Sequence, residues 1–126
     1  MTSLPFAFRL EEPADAPIID ALHADLFGPE RFKRAAYVLR DGVPPDPRLS
    51  FVATLDGVLA ASVRLTPITI GGRPALLLGP LVVDPKHKGR GAGRALVRMA
   101  LDAARADGHR GVLLVGGLYQ LMLMLR

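Results

Sequence analysis

Residues 84–94 read Asp-Pro-Lys-His-Lys-Gly-Arg-Gly-Ala-Gly-Arg, three glycines alternating with other residues among four cations, Lys86, Lys88, Arg90 and Arg94. An apolar run, Leu81-Val82-Val83, enters this loop, and a strongly helical stretch leaves it. Glycine lets a backbone approach a ligand closely. The free N–H groups at the start of a helix, with the helix dipole, favour an anion there. The pattern predicts a phosphate or pyrophosphate cradle built from Lys88, Gly89, Arg90, Gly91, Ala92, Gly93 and Arg94. Spacing excludes two common cradles. A Walker-type loop needs Gly-Lys followed by Ser or Thr to hold Mg²⁺, whereas Gly89 is followed by Arg90 and no hydroxyl lies between Pro85 and Gly117. A dinucleotide loop needs G-x-G-x-x-G and an acid at the end of the next strand; here the glycines run G-x-G-x-G and that strand ends in Val115-Gly116-Gly117.

The remaining reactive side chains carry less. No Cys occurs in the chain, which excludes disulfides, thiolate zinc sites, iron–sulfur clusters and cysteine nucleophiles. No two His stand at ligand spacing beside a carboxylate, so no metal site is expected. His87 and His109 read as loop and post-helix surface residues, and His23 as a structural or exposed residue of the first helix. Arg94, Arg98, Asp102 and Arg105 share one helix face, read as solvated, with Arg98 and Asp102 at pairing distance. Leu96, Met99, Ala100 and Ala103 form the opposing core stripe.

These residues need a scaffold. A chain of 126 residues, 50% hydrophobic and 22% charged, has the balance of one folded domain and not of a disordered segment. The formal charge of +4 favours an anionic partner without naming it. Phe6 to Glu11 alternates as a half-buried strand, closed by Pro13. Asp15-Ala-Pro17 opens a capped helix with an early Pro and an apolar stripe through Ile18, Ile19, Ala21, Leu22, Ala24 and Leu26, and Gly28-Pro29 ends it. A second helix is expected over Glu30–Leu39, then a rigid Pro44-Pro45-Asp46-Pro47 link. Strands follow over Leu49–Leu55, Val58–Ile70 and Ala75–Val83, joined by the tight-turn signals Asp56-Gly57 and Gly71-Gly72. Ala92–Asp107 is helical, Gly108 stops it, and Val112–Val115 is a short apolar strand. The order is β-α-α-β-β-β-α-β, an α+β chain. Gly111–Leu125 is shorter than the roughly 18 to 20 residues of a spanning helix and is interrupted by Gly116, Gly117 and Gln120. With no basic-then-apolar leader at Met1–Leu10, the expected setting is cytoplasmic, with no membrane partner.

Lys88-Gly-Arg-Gly-Ala-Gly93 resembles the Arg/Gln-x-x-Gly-x-Gly/Ala motif of the GNAT superfamily of N-acetyltransferases, with Lys88 where Arg or Gln is usual. Leu78-Gly-Pro-Leu-Val-Val-Asp-Pro85 resembles the strand and turn before that motif, and Ala95–His109 the helix after it. Element order agrees from Phe6 to Val115. The resemblance implies a mixed, mostly antiparallel sheet flanked by helices, with acetyl-CoA as cosubstrate. The strand at Leu81, Val82 and Val83 would splay from its neighbour and bind the pantetheine arm, and the glycine loop would hold the pyrophosphate. An N–H near Val82 would meet the oxyanion, and Tyr119 would give a proton to the departing thiolate. The acceptor would be a small-molecule or peptide amine, attacking directly. No acid stands in Ala75–Val83, where many relatives carry a catalytic Glu, so no general base is identified; Asp25 and Glu30 are candidates, beside a solvent-relayed path.

After Val115 the sequence leaves the family's pattern. Relatives continue with a Tyr-containing helix and two further strands, whereas Gly116-Gly-Leu-Tyr119 is followed by Gln120-Leu-Met-Leu-Met-Leu-Arg126. The expectation is a single domain over residues 1–126, short or atypical after about 117, with the last strands missing. The apolar tail then suggests a truncated chain, a homodimer, or a catalytically silent CoA-binding or interaction protein. A nucleic-acid module is disfavoured, because the basic loop lacks interleaved aromatics.

Overall fold

The computed structural model describes residues 5–27, 43–116 and 119–124. Its elements are β1 (Ala7–Leu10), α1 (Ala16–Phe27), β2 (Phe51–Leu55), β3 (Val58–Ile70), β4 (Arg73–Val83), α2 (Ala92–Ala106), β5 (Gly111–Gly116) and β6 (Tyr119–Met124). Short 3-10 turns at Pro13–Asp15 and Pro85–His87 precede the two helices. The helix expected over Glu30–Leu39 lies outside the described residues. The strand order expected from the sequence holds through β5, and one strand must be added to it. The apolar tail forms β6, which pairs antiparallel with β5 from Gly111↔Met124 to Gly116↔Tyr119.

The six strands lie in one sheet in chain order, antiparallel except for the β4/β5 pair. Asp56-Gly57 and Gly71-Gly72 take positive φ at both residues, the type I′ geometry whose twist suits a two-residue hairpin. Between β4 and β5 the chain crosses over through α2, which makes that pair parallel. One face of the sheet packs on α2: Ala61, Val63 and Leu65 of β3 and Leu76 and Leu78 of β4 cluster with Ala92, Leu96, Ala100 and Ala104. Met99 of the expected stripe is half-buried outside that cluster, and Ala104 extends it. Ile19 of α1 packs with Val52 and Leu59 in a second cluster, while its neighbour Ile18 is exposed. Arg94, Arg98, Asp102 and Arg105 are exposed as expected, but Asp102 pairs with Arg105, at 3.3 Å, and not with Arg98. Among the described residues no helix is long and apolar enough to cross a membrane.

β4 carries one extra residue. Val63 pairs with Leu81 and Leu65 with Leu78, so Arg64 alone stands opposite Gly79 and Pro80. Such a bulge bends the strand and raises its twist. Arg64 is held in place by Glu11, at 2.9 and 3.0 Å, and by Asp20 at 3.4 Å. Burial opposes the Arg64 charge, but pairing with these carboxylates outweighs it and raises the guanidinium above its ordinary value.

Asp15 differs from its expected role as a helix cap. Its carboxylate is buried, accepts two bonds from Arg9 at 2.6 and 2.9 Å, and accepts the Glu12 N–H at 2.8 Å. Hydrogen bonding to Arg9 holds it below the usual carboxylate range against the opposing effect of burial. A depressed folded-state value means that the contribution is complete above the unfolded value, about 4, and lost as pH falls through the folded one. Asp15→Asn is therefore expected to cost about 1–3 kcal/mol at neutral pH. Denaturant melts should show the difference from the parent shrinking as pH falls below about 4. A difference independent of pH would mean that the charge is not its source.

Candidate functional site

The bulge has a consequence at the next strand. β4 pairs with β5 only over Leu76–Leu78 and Val112–Leu114, although β4 runs on to Val83 and β5 to Gly116. Past Leu78 the two strands part. On its other side β4 stays paired to β3, and the Asp84 N–H donates to Ala60 O at 2.8 Å. Antiparallel pairs alternate between bonded and non-bonded, so Val82, two residues earlier, also turns its amide toward β3. The backbone groups of Leu81 and Val83 are left facing the gap. The oxyanion donor expected near Val82 is thus not the Val82 amide itself, and the Val82 side chain is buried.

At the mouth of that gap stands the N-terminus of α2. Asp84 ends β4 and caps the turn behind it, accepting the Lys86 N–H at 3.0 Å. Gly91 is the N-cap of α2, with φ 91 and ψ −4, and no side chain caps the helix. The Ala95 N–H is the first to find a carbonyl, Gly91 O at 3.0 Å. The amides of Ala92, Gly93 and Arg94 have no backbone acceptor among the described residues and remain available to a ligand. Gly93 is needed for a second reason: a Cβ there would stand 3.2 Å from Val83 Cγ2 and 3.7 Å from Leu81 Cδ2. A side chain there would make Val83 give by a few tenths of an ångström, so glycine suits the close approach of the helix to the free half of β4.

A cavity of about 380 Å³ occupies this corner, lined by Val83, His87, Lys88, Gly89, Gly91 and Ala92 together with Gly93 and Arg94. Seven of the ten residues expected to bind cofactor meet there. Leu81 adjoins it through Gly93, and Val82 and Arg90 do not line it. Instead the Arg90 guanidinium lies 5.5 Å from the centre of the Phe6 ring, with Nη1 3.2 Å from His87 Nδ1. Phe6 and His87 meet edge to face at 5.7 Å. His87, expected on the surface, thus lines the cavity and ties the loop to the residue before β1. Nothing local in the sequence signals that contact, because Phe6 and His87 are distant along the chain.

No acid lines the cavity, and Lys86, Lys88 and Arg94 form no ion pair among the described residues. Free helix amides, unpaired cations and an open strand edge suit a pyrophosphate continued by an amide-bearing arm. No metal-binding cluster of His, Asp or Glu occurs among the described residues. His23 is buried on α1. The side chains of Asp25 and Tyr119, and all of Glu30, lie outside the described residues. The Tyr119 backbone is placed on β6 opposite Gly116.

Comparison with known proteins agrees with this geometry. The model of the acetyltransferase (GNAT) family matches residues 16–118. The uncharacterized N-acetyltransferase YhbS of Escherichia coli strain K12 is 36% identical over 112 residues, covering 86% of this chain and 65% of YhbS. The chain therefore spans 65% of the length of that curated relative. A GNAT family acetyltransferase from Brucella melitensis, solved in complex with acetyl-CoA, superposes with a TM-score of 0.76 at 28% identity, over 98% of this chain and 90% of that one. Escherichia coli YhbS, solved in complex with CoA, gives 0.69 at 30% identity, over 92% and 65%. Because the family match encloses the bulge, both strands of the gap and the glycine loop, the chain belongs to the GNAT family of acetyltransferases.

Proposed function

We propose that this chain is an acetyl-CoA-dependent N-acetyltransferase whose acceptor is a primary amine on a small molecule or peptide. The observation that carries the reading is the meeting of two unsatisfied backbones in one corner. The outward groups of Leu81 and Val83 offer a strand edge to a pantetheine arm, and the amides of Ala92–Arg94 offer a pyrophosphate seat. Lys86, Lys88 and Arg94 add charge-assisted contacts. With the arm lying along β4, the thioester reaches into the gap toward the bulge, and a backbone amide there stabilises negative charge on its oxygen. The ammonium gives a proton to solvent, the amine nitrogen attacks the carbonyl carbon directly, and the C–S bond breaks. The thiolate leaves with a proton from Tyr119, and the new amide nitrogen releases its extra proton to water. A chain without Cys uses no cysteine acyl-enzyme.

Tyr119 is the proton donor in this reading, on the strand next to β5. Tyr119→Phe is expected to lower kcat by about 10²-fold, within the range of general acid catalysis, while CoA affinity stays within about threefold. Steady-state kinetics beside calorimetry makes the check, and an unaffected kcat would leave Tyr119 a packing residue.

A second reading, a catalytically silent CoA-binding protein, is favoured by one observation: neither β4 nor the cavity lining contributes a carboxylate as general base. Calorimetry with CoA and an acetyl-transfer assay over a panel of amines separates the two. Turnover supports the enzyme, binding without turnover supports the silent protein, and absence of binding overturns both. A cytoplasmic setting belongs to the same proposal. So does self-association through β6, which among the described residues lies at the edge of the sheet, where a second copy can pair with it.

A further inference from the structure

The end of the sheet opposite the glycine loop is also built around a helix terminus. α2 stops in a Schellman motif: Gly108 takes φ 87, its N–H donates to Arg105 O at 3.1 Å, and the His109 N–H donates to Ala104 O at 3.0 Å. This pair of bonds fixes the residues that follow a helix. The chain passes directly into β5, whose parallel register Leu76↔Val112, counted back along both strands, sets Arg110 beside Pro74 and His109 beside Arg73. A cavity of about 570 Å³ opens there, lined by Arg73, His109 and Arg110 and by the apolar Ile70, Pro74 and Ala75. Its volume is that of a small-molecule site, about 300–1,000 Å³.

Among the described residues the charge around it is uncompensated. Four arginines among those residues find acids, Arg9 with Asp15, Arg48 with Asp46 and Asp107, Arg64 with Glu11 and Asp20, and Arg105 with Asp102, whereas Arg90, Arg94 and Arg98 do not. Arg73 and Arg110 have no such partner among the described residues, although both line the same concave surface. The acid next to the cavity, Asp107, is already engaged, 3.3 Å from Arg48 and 3.1 Å from His109 Nε2. Two guanidiniums beside one apolar hollow hold ten N–H donors between them for an anion.

We infer that this cavity is a second ligand site, separate from the glycine loop, for a small organic anion. A phosphate or carboxylate is held by Arg73 and Arg110, and an apolar body rests on Ile70, Pro74 and Ala75. The site stands independently of the acetyl-transfer reading, since it shares no residue with the loop.

Phenyl phosphate, benzoate and phenol, titrated into the ¹⁵N-labelled full chain, test it. Either anion is expected to shift the amides of Arg73, Ala75 and His109–Gly111 saturably, and the two dissociation constants tell phosphate from carboxylate preference. Phenol, with the same ring and no charge, should bind at least about tenfold more weakly. The double variant Arg73→Ala/Arg110→Ala should weaken the anions by about tenfold or more with Tm and CoA affinity unchanged, because neither arginine has an ion-pair partner to lose among the described residues. Phenol binding as well as the anions would overturn the proposal. So would a double variant that binds like the parent, or shifts centred on Lys88–Arg94. Failure of CoA to bind would be seen separately and would leave this test intact.

Discussion

Gly91→Glu is expected to reduce CoA affinity by more than about a hundredfold while the chain stays folded. Gly91 holds φ 91 at the N-cap of α2, a left-handed conformation that costs an L residue about 1–2 kcal/mol. A carboxylate at a helix N-terminus returns about 0.3–1 kcal/mol through the dipole, so the net loss of stability is small. Binding suffers far more. The new negative charge stands beside the amides of Ala92–Arg94 that a pyrophosphate would use. At about 4–5 Å and an effective dielectric of 20, each like-charge pair costs about 3–4 kcal/mol. Gly91→Ala is the control, carrying the backbone strain without the charge, and should lose no more than about tenfold. Calorimetry with CoA beside thermal melts reads both. Equal losses in the two variants would assign the effect to the backbone, and parent affinity in Gly91→Glu would remove the anion from this loop.

That prediction was within reach of the sequence, because everything in it is local. The glycine alternation, the surrounding cations and the helical stretch beyond them lie within a dozen residues, and local sterics and the helix dipole decide what they do. The hairpins were legible for the same reason: Asp56-Gly57 and Gly71-Gly72 can supply consecutive positive φ values, and the bounds of β3 follow from them. What was not legible depends on contacts that only the fold makes, most of them with partners remote along the chain. Asp15 reads as a cap until Arg9 is brought across from β1. His87 reads as loop surface until Phe6 packs on it. The tail reads as a leftover because Gly116-Gly117 breaks the pattern and Leu121–Met124 does not alternate; pairing with β5 makes it a strand. The bulge does leave a mark, since Gly79-Pro80 interrupts the apolar run Leu76–Val83 and such residues inside a strand are found at bulges, but which residue of β3 faces them is set only by the register.

Deletion of Pro80 should separate the gap from the fold. With Gly79 and Pro80 both opposite Arg64, β4 holds one residue more than β3 requires. Removing Pro80 restores a continuous ladder in which Leu65↔Leu78 and Val63↔Leu81 survive and Gly79 alone faces Arg64. Side chains alternate across a strand, so Leu78 and Leu81, three positions apart in the parent, come to lie two apart with both still on the α2 face. The bend goes with the extra residue. A straight β4 continues beside β5 as far as Gly116, and the outward groups of Leu81 meet that strand instead of a pantetheine arm. The expected result is a chain whose stability lies within about 1 kcal/mol of the parent, since ladder bonds replace a bulge, and whose CoA affinity falls by at least about a hundredfold. A deletion variant that binds CoA normally would show that the bulge does not open the gap. One that fails to fold would show that the facing of Leu81–Val83 depends on the extra residue after all.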